Sequence, residues 1–296
     1  MVVRKLLINV LVDDYAGYDV RGVQAQHGLS ILAKVFYDDG KNEVYLLDTG
    51  QGGGLIQRNT ELLGLSKEVA QIKAVILSHT HYDHTGGLED VIKLIGNKRK
   101  VPLIAHPQIF RKHVYLSEVR KALDISIPFT KYELESMGYL PLLTKSSFQI
   151  GHNVWWLGEI PREVSFEGRP QNFFMINDDG ELIPDYLLDD SALAIKVDGF
   201  GTVVISGCSH SGIVNIVKYA SKVTSDNVRL VIGGLHLIGS SREVIELTVK
   251  ELREVGVEYV WVGHCTGLKA EALLLDTYKE GFSKIYVGFT REVKGD

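Results

Sequence analysis

Residues 74–88, AVILSHTHYDHTGGL, end an apolar run with three imidazoles and a carboxylate packed together: His79, His81, Asp83 and His84. A strand sets alternate side chains on one face, so His79 and His81 leave the run on the same side. The turn that follows can aim Asp83 and His84 at a neighbouring position. Neutral imidazoles with a carboxylate suit Zn, Fe or Mn, and an Asp beside three His points to two metal ions rather than one closed structural site. Histidines on a polar surface loop are the plain alternative. That reading covers one such residue but explains three behind a buried strand poorly.

Three more apolar segments share this pattern: TVVISGCS before His210, RLVIGGL before His236 and YVWVG before His264. Layered α/β structures gather functional groups at one edge of the sheet, so the four endings are expected to converge. Two cysteines, Cys208 and Cys265, are too few for a disulfide framework, and each lies beside one of these histidines.

The chain has 296 residues, 45% of them hydrophobic and 23% charged, which suits one soluble domain over 1–296 with a sizeable core. A net charge of −5 supplies no broad field for nucleic acid or an anionic membrane. The start, MVVRKLLINVLVDD, breaks at Asp13 without a small-residue cleavage site. Neither a secretion signal nor a membrane span is therefore expected, and the protein is placed in the cytoplasm. A homo-oligomer stays open.

Strands are expected at 6–12, Ser30–Tyr37 and 43–47, the last two joined by the turn Asp38-Asp39-Gly40. Between the first two, the glycine-rich loop 15–28 is a flap candidate, and His27 within it is assigned to the surface or to loop packing. The run Gly50-Gln51-Gly52-Gly53-Gly54 opens a helix through Leu63. A helix N-terminus can hold phosphate, but this run lacks the P-loop Lys-Ser/Thr, which favours a tight turn packed on the sheet. A helix at 89–96 and a strand at Val101–Ala105 lead to His106. Residues 108–141, with helical spacing around Val114, Glu118 and Ala122, are expected to form a helical insertion over the site that binds the organic part of a substrate, with His113 on its surface. Strands near 148–157, Ala192–Val197, 202–206, 228–232 and Tyr259–Val262 follow, with helices at 213–223 and 242–255. Arg162 and Arg169 lie in a polar stretch, and Arg162, within GEIPR, is the preferred phosphate contact.

The cluster closely resembles the metal-binding signature of the metallo-beta-lactamase superfamily. LLDTGQ (46–51), LSHTHYDHTGGL (77–88), GEIPR (158–162), GCSHSGIVNI (207–216), GGLHL (233–237) and GHCTG (263–267) resemble one branch of it, the dihydropterin-methyl-ribofuranosylaminobenzene 5'-phosphate synthases on the way to methanopterin. The likeness runs from about residue 6 to 289. It implies an α/β fold, a four-layered αββα sandwich with two divalent ions at the sheet ends, Zn foremost with Fe or Mn as alternatives. It also implies that His264 is the last ligand, that Asp48 beneath the site holds a ligand imidazole in its tautomer, and that His106 is structural. Two departures stand out. Cys208 occupies the place of the bridging Asp, with His210 two residues on, and the middle His has no clear match, Glu159 lying in the comparable region.

The resulting candidates for the metals are His79, His81, Asp83, His84, His210, His264 and Cys208. Asp83 and His236, as a ligand or general acid, are candidates for catalysis, Arg162 for substrate, and Asp48 and Glu159 for support. Cys265 is expected to pack. The implied activity is that of a metal-dependent enzyme acting on a phosphorylated, pterin-like small molecule. The alternatives are a phosphodiesterase- or lactonase-type hydrolase, and a metal- or redox-cofactor-binding protein without turnover.

Overall fold

The computed structural model describes residues 1–96, 100–117, 119, 121–168 and 170–295. Glu118 and Arg169 lie outside the described residues.

The strands alternate between two apolar faces, and that alternation builds the layers. In Ser30–Tyr37, Ile31, Ala33 and Val35 enter one buried cluster while Leu32 enters another. In Gly201–Ser206, Val203 and Ile205 join the first cluster and Val204 a third. The shared cluster therefore lies between two halves of sheet. Each outer cluster is covered by helices: Leu55–Leu62 and Leu88–Ile95 on the first half, Ile213–Thr224, Arg242–Glu254 and Leu268–Tyr278 on the second. The result is the αββα sandwich. The halves meet where Val3–Val12 and Ala192–Val197 pair in parallel through Val3 and Val197.

Within each half the outer strands run parallel, beyond antiparallel strands where the halves meet. Asn42–Leu47, Ile72–Ile76 and Val101–Ala105 pair in parallel, as do Gly201–Ser206, Val228–Gly233 and Tyr259–Val262. Parallel strands present their C-terminal ends at one edge, where Asp48, His79, Cys208, His236 and His264 follow them.

The segment 108–141 departs from the expected helical insertion. It holds a 3-10 turn at Pro107–Phe110, strands at His113–Leu116 and Ala122–Asp124, and one helix, Lys131–Met137. The two strands join Phe173–Ile176 and Leu182–Pro184 in a separate antiparallel four-stranded sheet. The exposed, short strands blur the period-2 signal that separates strand from helix. His113 is fully buried rather than exposed, its Nδ1 donating to Asp185 Oδ2 at 2.5 Å. The strand expected over 148–157 is a pair, Phe148–Gly151 and Val154–Trp156, in antiparallel register. Among the described residues no helix is long and apolar enough to cross a membrane.

Candidate metal centre

The loop after Ile72–Ile76 is held so that its donors face inward. Gly87 has no Cβ to spare: one would lie 2.1 Å from Thr49 O, and at Gly28 one would lie 2.2 Å from Asp83 O. These approaches let Thr49 N donate to His84 O at 2.7 Å and Leu29 N donate to Asp83 O at 3.3 Å. The glycine run 50–54 thus packs the turn against the metal loop. Its Gly54 N–H donates to Asp90 Oδ2 at 2.8 Å, so that amide is not free for a phosphate.

Two of several overlapping donor groups surround the metal loop. In the first, His79, His81 and His210 lie within 4.8 Å of one another through their nearest ring nitrogens. Ser78 Oγ donates to Asp48 Oδ2 at 2.6 Å, so it accepts from His79 Nδ1 at 2.8 Å. His79 Nε2 is then a bare lone pair, 3.0 Å from His81 Nδ1. His81 Nε2 and both ring nitrogens of His210 are buried without a hydrogen-bond partner among the described residues. Buried polar atoms are normally paired, so these open lone pairs point to a missing cation. Burial drives His79 and His210 well below the usual imidazole range and His81 to about 3. All three rings are therefore neutral donors at physiological pH.

In the second group, His84 Nδ1 donates to Asp48 Oδ2 at 2.7 Å and His264 Nδ1 to Asp14 Oδ2 at 2.5 Å. Each ring is held with Nε2 turned toward the centre, and the two Nε2 atoms face each other at 3.2 Å. Cys208 Sγ lies 3.2 and 3.3 Å from them, and Asp83 Oδ2 lies 3.4 and 3.5 Å from them. Tetrahedral donors bound at about 2.0 to 2.3 Å have edges of about 3.3 to 3.7 Å, so Asp83, His84 and His264 fit one divalent ion, with Cys208 Sγ close enough to both imidazoles to join them. Burial alone would lower His264, but Cys265, Asp14 and Asp83 outweigh it and hold the ring up at about 10. Burial pushes the Cys208 thiol up. This group attracts positive charge, and an ion entering it displaces protons.

His210 thus stands with His79 and His81 where the middle His was sought. Glu159 does not: its Oε2 accepts from His106 Nε2 at 3.2 Å and pairs with Lys145, outside the donor groups. His106 also caps the 3-10 turn by accepting from Gln108 N. Arg162 is not placed for a substrate phosphate either, because its guanidinium donates to the carbonyls of His210, Tyr186 and Leu187. His236 borders the centre, its ring 4.1 Å from that of His210 and its Nδ1 buried without a partner among the described residues. Cys265 Sγ lies 3.4 Å from Cys208 Sγ, and Cys208, His236 and Cys265 form a further potential donor group.

Sequence reasoning missed Asp14 and assigned His27 to the surface or to loop packing. His27 is half exposed, yet its Nδ1 donates to Asp14 Oδ1 at 2.8 Å and its Nε2 is 3.4 Å from Asp83 Oδ2. The signal was present in Asp13-Asp14, which ends an apolar strand as Asp48 does. Asp48, Ser209, His236 and His264 all adopt positive φ, at 58°, 62°, 45° and 48°. Such conformations cost about 1 to 3 kcal/mol each and collect at functional sites.

Two cavities of about 680 and 490 Å³ open onto the centre and share Tyr115, Phe173, His210 and His236 as a wall. Tyr115 and Phe173 come from the four-stranded sheet, and Phe173 stacks on His81 at 5.4 Å and 13°.

Comparison with known proteins agrees with this architecture. The metallo-beta-lactamase superfamily model matches residues 34–217. The chain is 36% identical over 290 residues, 97% of this chain and 96% of the relative, to a Methanocaldococcus jannaschii protein named 7,8-dihydropterin-6-methyl-4-(beta-D-ribofuranosyl)-aminobenzene-5'-phosphate synthase. A solved structure described as a metal-dependent hydrolase of the beta-lactamase superfamily superposes with a TM-score of 0.77 at 28% identity, covering 98% of this chain and 99% of that one. Unliganded yeast PDE1 shares the fold alone, with a TM-score of 0.52 at 14% identity over 98% of this chain and 99% of its own.

Proposed function

This chain belongs to the metallo-beta-lactamase superfamily, and we propose that within it the chain is a metal-dependent enzyme that joins a dihydropterin-like molecule to a phosphorylated aromatic amine. The reading extends the activity for which the Methanocaldococcus jannaschii relative is named, which matches nearly end to end. The observation that carries it is the pair of cavities that share a wall at His210 and His236, the smaller of them lined by members of both donor groups, which suits two organic molecules better than one molecule and water. We place the enzyme in the cytoplasm as a single domain acting on small molecules.

His79, His81 and His210 would hold one divalent ion, and Asp83, His84, His264 and Cys208 the other, with Zn foremost and Fe or Mn as alternatives. Bound there, the ions would supply positive charge against the oxygens of a diphosphate leaving group. Phe173 and Tyr115 offer aromatic faces at the wall between the cavities, where a flat heterocycle can stack. Asp48 and Asp14 hold two of the imidazoles in one tautomer. His236 borders both cavities and can hold a proton beside the reacting groups.

The second reading is a hydrolase, favoured by the superposition on the metal-dependent hydrolase structure. Incubating metal-loaded protein with 6-hydroxymethyl-7,8-dihydropterin diphosphate and 4-(beta-D-ribofuranosyl)aminobenzene 5'-phosphate separates the two. The joined product, with diphosphate released only when the amine is present, supports the synthase. Diphosphate released equally without the amine, or turnover confined to phosphodiesters or lactones, favours the hydrolase. No turnover of any of these by protein holding its metals would leave a binding protein.

A further inference from the structure

Residues 185–191, DYLLDDS, lie between the four-stranded sheet and the strand Ala192–Val197, outside both donor groups. Three consecutive residues of this segment nevertheless grip the two loops that present His79, His81 and His210. Asp189 Oδ2 accepts from Thr80 N at 2.8 Å, and Thr80 sits between His79 and His81. Asp190 Oδ2 accepts from Ser211 N at 2.9 Å and from Ser211 Oγ at 2.5 Å, and Ser211 follows His210. Ser191 N donates to Ser78 O at 2.9 Å. Arg162 closes the loop from the other side, donating to His210 O at 3.1 Å and to the carbonyls of Tyr186 and Leu187.

Asp189 and Asp190 are fully buried, and Oδ1 of each has no hydrogen-bond partner among the described residues. A buried carboxylate with one oxygen unsatisfied weakens a fold, so its presence argues for the order it imposes. Burial also raises Asp189 to about 6. His84 and His264 are oriented by carboxylates on their ring nitrogens, whereas His81 Nε2 and His210 have no ring partner among the described residues and His79 meets only the Ser78 hydroxyl. The geometry of the three-imidazole group therefore has to be set through the backbone.

We propose that Asp189 and Asp190 are positioning residues that set the spacing between the His79–His81 pair and His210, and so the metal affinity of that group alone. This rests on reading the centre as a two-metal site. The test is a Co2+ titration of metal-free protein, with the ions retained after dialysis counted and the thiolate-to-cobalt charge-transfer absorption reporting the Cys208 position separately. Asp189→Asn and Asp190→Asn should weaken one equivalent by about 10- to 100-fold while the thiolate absorption titrates as in the parent. Ser211→Ala, a milder change that keeps both carboxylates, should weaken the same equivalent by a smaller factor. The proposal is overturned if the variants bind both ions as the parent does, or lose both to the same degree. Should the Asp variants not fold, unchanged binding by Ser211→Ala overturns it equally. A parent protein that takes up no cobalt would instead sink the two-metal reading itself.

Discussion

The two halves of the centre lie side by side yet are built on different physics. The His79–His81–His210 group is neutral, its rings stripped of protons by burial and held mainly by the backbone. The Asp83–His84–His264–Cys208 group becomes anionic only when an ion displaces the protons held on the Cys208 thiol and the His264 ring, and its rings are held by Asp48 and Asp14. A neutral set binds through geometry alone, whereas an anionic set adds charge. The first should therefore answer to changes that move loops, and the second to changes in charge and pH.

The largest expected break is Asp83→Asn, which removes the anionic oxygen of the second group. Loss of several kcal/mol of charge stabilisation corresponds to a fall in turnover of about a thousandfold or more, with one equivalent of metal lost by elemental analysis. Turnover within tenfold of the parent would end the assignment of Asp83 to the chemistry.

Proton release should separate the halves next. Cys208 lies above its usual range and His264 at about 10, so both are protonated at neutral pH and an ion must displace both. Affinity at the second group should then rise with pH, by up to about 100-fold per unit, while the first group, already neutral, should change little above pH 6. Calorimetric titration in buffers of different ionisation heat counts the protons: about two for one ion, none for the other. Equal release from both ions would erase the distinction.

Asp14→Asn keeps the size of the side chain but removes the charge that orients His264. A loss of about 10- to 100-fold in metal affinity is expected at the second group only, read by chelator competition. The smallest effect belongs to Phe173→Ala. Removing one aromatic face should raise KM for the heterocyclic substrate by about three- to tenfold with kcat little changed. A fall in kcat of the same size would move Phe173 from binding to the chemistry.

Much of this was legible in the chain. The strand-end pattern found His79, His210, His236 and His264 because a buried strand and a small-residue turn leave their mark locally. Asp48 was reached through the resemblance, and the matching Asp13-Asp14 at the end of Val3–Val12 passed unread. The segment 108–141 was expected to be helical because short strands with exposed faces carry charges at spacings that also suit a helix. Arg162 and Glu159 were expected at a phosphate and in support of the metals because their types allow those roles. Their real partners, the His210 carbonyl and the His106 ring, are 48 and 53 residues away in sequence.

The sequence alone marked the strand-end histidines and most candidate donors, because apolar runs and the chemistry of His, Asp and Cys are properties of short stretches, and the layered fold followed from the resemblance those motifs carry. Tertiary structure decided how the donors divide. Grouping His210 with His79 and His81, and Cys208 with His84 and His264, depends on where Ile72–Ile76 ends in one half of the sandwich and where Gly201–Ser206 and Tyr259–Val262 end in the other. So does the grip of Asp189 and Asp190 on both histidine loops, set by contacts 109 and 21 residues apart along the chain. Pairings across such separations follow from the packing of the whole core, and no local pattern encodes them.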